Sequence, residues 1–204
     1  MLLVSFFDKL ILGIQNTSAI EYIAGIAGIA SVLYSRKENI LVYPTGLIST
    51  IIYTWLCFKN WGLFAEGSLN FYYTAMSIYG WYCWSNANKK ETLNISYNTK
   101  KDWFIATSFF ILCWIFLYFF LKKYTTSTVP MADSFASATA YIGMWQMTRK
   151  KIENWVWWIL TNIASIPLYF YKGAVFTSFQ YIIFLILAIA GLLEWRKKYA
   201  NATT

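Results

Sequence analysis

The run from Trp155 to Ser165 reads Trp-Val-Trp-Trp-Ile-Leu-Thr-Asn-Ile-Ala-Ser. At helical spacing Trp155, Trp158, Asn162 and Ser165 fall on one face, with Thr161 beside it. Aromatic faces and a neutral amide recognise a flat, polar heterocycle by stacking and hydrogen bonding. They do not move a proton or attack a bond. Comparable stripes occur elsewhere: Asn70, Tyr73, Thr74, Ser77 and Trp81; Gly46, Ser49, Thr50, Tyr53 and Thr54; and Thr177, Gln180 and Tyr181. A single Ser or Thr in such a stripe is more often a bond between helices than a ligand group. Asn162 with Trp158 one turn away reads instead as lining, because an unpaired amide at mid-depth in a membrane is costly.

The chain contains no histidine, so the commonest general base and metal ligand is missing. Its nine carboxylates (Asp8, Glu21, Glu38, Glu66, Glu91, Asp102, Asp133, Glu153 and Glu194) all fall between apolar blocks or at their ends. An ionisable residue inside a span is the usual mark of a proton relay or coupling-ion path, and none is expected here. Cys57, Cys83 and Cys113 stand alone in apolar surroundings and read as small buried hydrophobes. These residues predict no catalytic group, no metal and no cofactor, and they point to binding and passage of a flat, polar solute. A membrane enzyme acting on lipid would need an acid–base pair that the sequence does not offer.

Such residues must be positioned by elements inside a bilayer. Charged residues are 13% and apolar residues 58% of the 204-residue chain, with a mean hydropathy of +0.45. Soluble domains carry about 25% charge. Seven apolar blocks are expected as spans: Ile20–Ser35, Ile40–Phe58, Gly67–Trp84, Trp103–Leu121, Ala132–Met147, Trp155–Tyr171 and Phe176–Leu193. They are too long and too weakly alternating for barrel strands. Trp61, Trp84, Trp103, Trp155 and Trp195 at block ends are expected in the headgroup zone, and Pro44 and Pro167 are expected to kink their spans. Residues 1–19 read as an amphipathic interfacial segment with no cleavable signal sequence.

The net charge of +8 is spread in clusters between apolar blocks, which excludes a nucleic-acid-binding stripe. With seven spans, 12 of the 17 basic residues fall on one side and 5 on the other. The positive-inside rule then places the N-terminus outside and the C-terminus in the cytoplasm.

The segments on either side of the fourth block resemble one another. Arg36-Lys37-Glu38-Asn39 begins a stretch that closes on Gly80-Trp-Tyr-Cys-Trp84. Arg149 to Asn154, ending likewise in Glu-Asn, begins one that closes on Gly191-Leu-Leu-Glu-Trp195. The expected fold is an all-α polytopic membrane protein of seven transmembrane helices, built as two parallel three-helix repeats and a linker helix. The first repeat covers 20–85, a loop and linker helix 86–130, the second repeat 131–198, and a tail 199–204. Parallel repeats are a transporter plan with the solute held near mid-membrane between the halves. A non-transporting membrane subunit is the remaining alternative, and it predicts no repeat-related cavity and no saturable binding.

Ile78-Tyr-Gly-Trp-Tyr-Cys-Trp-Ser85 and the run Met147-Thr-Arg-Lys-Lys-Ile-Glu-Asn-Trp-Val-Trp-Trp-Ile-Leu-Thr-Asn162 resemble the PnuC family of bacterial nicotinamide riboside transporters. The Gly173 turn and the Gln180-Tyr181-Ile-Ile run are similar to that family too. The resemblance implies a fold akin to the SWEET sugar carriers, a homotrimer in the lipid of the bacterial inner membrane, and facilitated diffusion. Trapping would follow by phosphorylation inside the cell. It also implies that Trp155, Trp158, Asn162, Gln180, Tyr181, Asn70, Tyr73 and Trp81 approach a vitamin, with Thr161, Ser49 and Tyr53 from the same stripes. Ser49 stands where some nicotinamide riboside carriers have Asn in a Gly-Leu-Ile-Asn pattern. Nicotinamide riboside is the expected solute; thiamine and riboflavin carriers are relatives, so thiamine or another B vitamin is the alternative.

Overall fold

A computed structural model describes residues 18–61, 64–86, 93–125 and 127–203. Most of the amphipathic segment expected at 1–19 lies outside them, as does part of the loop before the fourth span. The described residues form seven α-helices: α1 (Ala19–Arg36), α2 (Val42–Leu56), α3 (Phe64–Asn86), α4 (Lys100–Tyr124), α5 (Pro130–Thr148), α6 (Asn154–Tyr171) and α7 (Val175–Thr203). A π-helical turn, Cys57–Trp61, prolongs α2. α4 and α7 are long and apolar enough to span a bilayer on their own.

Local chemistry sets the helix ends. Ser18 and Thr99 cap α1 and α4 as capping boxes, with Glu21 and Asp102 reaching back. Pro130 opens α5 where its missing N–H costs nothing. Pro44 was expected to kink a span. It lies instead in the first turn of α2, among amides that have no helical partner in any case. Pro167 is inside α6 as expected, and beside it the Ser178 hydroxyl donates to the Ile166 carbonyl at 2.8 Å, tying α7 to α6. Residues 199–203, read as a tail, continue α7 as helix.

Helix packing closes a ring. α1 packs on α2, α2 on α3, α3 on α5, α5 on α6, α6 on α7, and α7 back on α1. α4 packs outside the ring against α5, as a linker between two triplets should.

The two triplets are related by their turns. Glu38 and Lys150 both adopt left-handed backbone, with φ of 60° and 51°. Each closes its helix by the same pair of bonds: Glu38 N to Ser35 O and Asn39 N to Tyr34 O, against Lys150 N to Met147 O and Lys151 N to Gln146 O. Glu38 therefore corresponds to Lys150. The sequence alignment on the two Glu-Asn pairs was three residues out, because Glu153 and Asn154 already belong to the entry of the next helix.

Candidate functional site

Five residues after each left-handed position stands a fully buried ring, Tyr43 in one triplet and Trp155 in the other. Each covers the glycine of its Gly-x-x-x-Trp. A methyl group on Gly80 would come within 2.4 Å of the Tyr43 ring, and one on Gly191 within 2.6 Å of Trp155. The closing tryptophans pack edge-on against the same rings, Trp84 on Tyr43 at 5.2 Å and Trp195 on Trp155 at 5.6 Å.

Their indole N–H groups then cross over. Trp84 donates to the Thr148 carbonyl of α5 at 3.2 Å, and Trp195 to the Ser35 and Arg36 carbonyls of α1 at 3.1 Å. Trp84 and Trp195 meet at 6.4 Å. Trp84, Trp155 and Trp195 were expected among headgroups. They are instead buried: the Trp84 and Trp195 N–H groups are used by the opposite triplet, the Trp155 N–H has no partner among the described residues, and all three rings fill the floor of the ring of helices.

Charges seal that same end. Lys150 Nζ lies 2.7 Å from Glu38 and 4.6 Å above the Trp84 ring. Arg36 pairs with Glu194 at 2.9 Å. Asp102 receives Lys151 at 3.2 Å and Arg149 at 3.3 Å. The Thr99 backbone N–H, then its hydroxyl and Lys151, hold the Asp102 carboxyl at about 2, below the usual carboxylate range.

Above this floor lies a belt of rings. Tyr73 of α3 and Trp158 of α6 face each other across the two triplets with centroids 6.0 Å apart. Trp158 rests on Gly143, where a methyl would come within 3.1 Å. Tyr72 packs edge-on against Tyr141 at 4.4 Å and donates its hydroxyl to the Tyr141 carbonyl. Further from the floor Tyr169 and Tyr181 stack at 5.1 Å, nearly parallel, with the Ser165 hydroxyl beside Tyr181. Tyr181 is also within electrostatic reach of Tyr53 and Tyr73, so α2, α3, α6 and α7 all contribute to one zone.

The residues expected from the sequence divide by what their polar atoms already do. Thr161 sits 2.9 Å from both the Thr139 hydroxyl and the Trp157 carbonyl, joining α5 to α6. Asn70 donates to the Glu66 carbonyl at 2.9 Å, within its own helix. Ser49 is buried against Gly28. Trp155 belongs to the floor. Asn162 is 4% exposed, one turn above Trp158, and no protein group among the described residues hydrogen-bonds its amide. Gln180 is half-buried on α7. Trp81, 41% exposed, is not among the rings that meet in the belt. Tyr169 was missed, although it continues the Trp158–Asn162–Ser165 face at helical spacing.

A separate groove of about 580 Å³ opens sideways and is lined by Trp114, Tyr118, Met131 and Phe135. Its lining is almost wholly apolar and gives a polar solute nothing to orient it.

A ring of six membrane helices around rings, hydroxyls and an uncommitted amide defines a transporter of a small solute. The chain belongs to the nicotinamide mononucleotide transporter family, whose model matches residues 18–197. It is 25% identical over 209 residues to the nicotinamide riboside transporter PnuC of Escherichia coli, covering 90% of this chain and 87% of that one. It is 22% identical over 181 residues to the riboflavin/roseoflavin transporter RibM of Streptomyces davaonensis, covering 86% and 83%. A crystal structure of the vitamin B3 transporter PnuC shares the fold, with a TM-score of 0.73 at 22% identity over 96% of this chain and 88% of that chain.

Proposed function

We propose that this chain is a uniporter that carries nicotinamide riboside down its gradient across the bacterial inner membrane, as a homotrimer. The N-terminus lies outside, and the basic floor faces the cytoplasm. The observation that carries this reading is Asn162, 4% exposed and with no hydrogen-bond partner for its amide among the described residues, set one turn from the facing rings of Trp158 and Tyr73. A stacked pyridine carboxamide takes up that amide, with Gln180, Tyr181 and Tyr53 around it. An amide left without partner or solute would cost about 1–3 kcal/mol. No described carboxylate lies at mid-depth, which supports transport without a coupling proton.

A second reading, a flavin or thiamine carrier of the same family, draws on the similarity to RibM and on Ser49 in place of Asn. Titration calorimetry of the purified protein with nicotinamide riboside, thiamine and riboflavin separates the readings. Tight binding of nicotinamide riboside, weakened at least tenfold in Asn162→Ala, is expected. Preference for riboflavin or thiamine transfers the assignment to that vitamin.

A further inference from the structure

Glu66 stands apart from every other described carboxylate. Glu38, Asp102, Asp133 and Glu194 are in ion pairs, Glu21 takes the Ser18 amide and hydroxyl, and Glu153 takes the Asn98 amide. Among the described residues no hydrogen-bond donor or cation reaches the Glu66 carboxylate. The nearby Asn70 amide goes to the Glu66 main-chain carbonyl and leaves the side chain uncommitted.

Its place is also informative. Glu66 lies in the first turn of α3, at the end of the bundle remote from the basic floor, and is half-buried. α3 packs on α2 and α5, yet Glu66 is within electrostatic reach of Tyr169 on α6 and Tyr181 on α7. Glu66 also lies seven residues, two helical turns, before Tyr73, so both share the α3 face that meets Trp158 inside the ring of helices, which sets Glu66 at the entrance of the aromatic belt. The one described cation beside these rings, Lys172, is neutralised by Asp133 at 2.6 Å. Lys59, exposed on the turn before α3, forms no ion pair with Glu66 among the described residues, so the entrance offers an unpaired carboxylate above a stack of π faces, and both features favour a cation.

Building on the proposed vitamin reading, we infer that Glu66 is a specificity-determining residue that selects a solute with a fixed positive charge on its aromatic ring. The oxidised nicotinamide ring is such a cation. Its 1,4-dihydro form has nearly the same shape and no charge, and is therefore the discriminating probe.

The test measures affinity and initial uptake of both forms with the full-length chain in proteoliposomes, unmodified and as Glu66→Gln. A single carboxylate several ångströms from a cation at the water boundary is worth about five- to tenfold in affinity. The unmodified protein is expected to prefer the oxidised form. Glu66→Gln should weaken that form about five- to tenfold and leave the dihydro form unchanged, which also certifies the fold of the variant. Added salt should weaken binding of the cation to the unmodified protein more than to Glu66→Gln. Equal loss for both forms, or no loss for either, overturns the role of Glu66 while the vitamin reading stands. Failure of both forms to bind the unmodified protein overturns the vitamin reading and this inference with it.

Discussion

Thr161 and Asn162 are neighbours in sequence, equally buried, and chemically opposite in state. The Thr161 hydroxyl is spent on Thr139 and the Trp157 carbonyl, whereas no group among the described residues bonds the Asn162 amide. The sequence places both near one helix face but does not say which is already satisfied, since that depends on Thr139 arriving from α5. Thr161→Val is accordingly expected to lower stability by about 1 kcal/mol and to leave vitamin affinity near its original value. Thermal unfolding in detergent, beside calorimetric titration, checks both halves. A large loss of affinity would return Thr161 to the binding surface. Asp102 gives a different kind of expectation. Its folded carboxyl titrates at about 2, below the unfolded value near 3.9, so the folded state is favoured at any pH above the unfolded value. That contribution falls away as pH drops from about 4 through 2. Asp102→Asn should flatten this part of the stability–pH curve; an unchanged slope would show that the Thr99 and Lys151 bonds do not hold in solution.

The helices themselves were legible because membrane spans announce their length and hydropathy: all seven expected blocks are helices in the structure, with shifted ends. The ends were less legible where tertiary contact overrides local preference. Tryptophan at a span end usually marks the headgroup zone, but Trp84 and Trp195 turn inward because Gly80 and Gly191 let Tyr43 and Trp155 lie flat on the helix beside them. The Gly-x-x-x-Trp spacing carried that signal, and its partner ring could be read only from the fold. Both glycines are expected to resist substitution for this steric reason. Gly191→Ala puts a methyl within 2.6 Å of the buried Trp155 ring, which has no free space to retreat into. A loss of about 1–3 kcal/mol is expected, and a similar one for Gly80→Ala. Gly173→Ala is a useful contrast, because its cost comes from a φ of +78° and not from any neighbour within 4 Å. Melting temperatures of the three variants test this; a neutral Gly191→Ala would mean that the floor packs more loosely than its ring geometry requires.

At the scale of the whole molecule, the two triplets meet at corresponding positions. Glu38 touches Lys150, and Ser35 donates to Met147 at 3.3 Å, the pair that precedes them by three residues on each side. An approximate twofold axis brings a position onto its own counterpart, so an undiverged repeat would set like charge against like charge there. Divergence to Glu and Lys turns that repulsion into a bridge. This is also why the repeat in the sequence is clearest in the Gly-x-x-x-Trp segments and misleading at the turns. The bridge is half-buried, with side chains 26% and 13% exposed, so a net value of about 1–2 kcal/mol is reasonable after solvent screening. Reversing one charge, Glu38→Lys or Lys150→Glu, should cost about 2 kcal/mol by placing like charges across the axis. The double reversal should recover only part of this, because Lys198 lies 3.8 Å from Glu38 and Trp84 lies under Lys150, and both favour the original polarity. A double-mutant cycle on thermal unfolding isolates the coupling. A coupling of at least about 1 kcal/mol is expected; a value within error of zero would mean that the halves are joined at this end by the crossed tryptophan bonds alone.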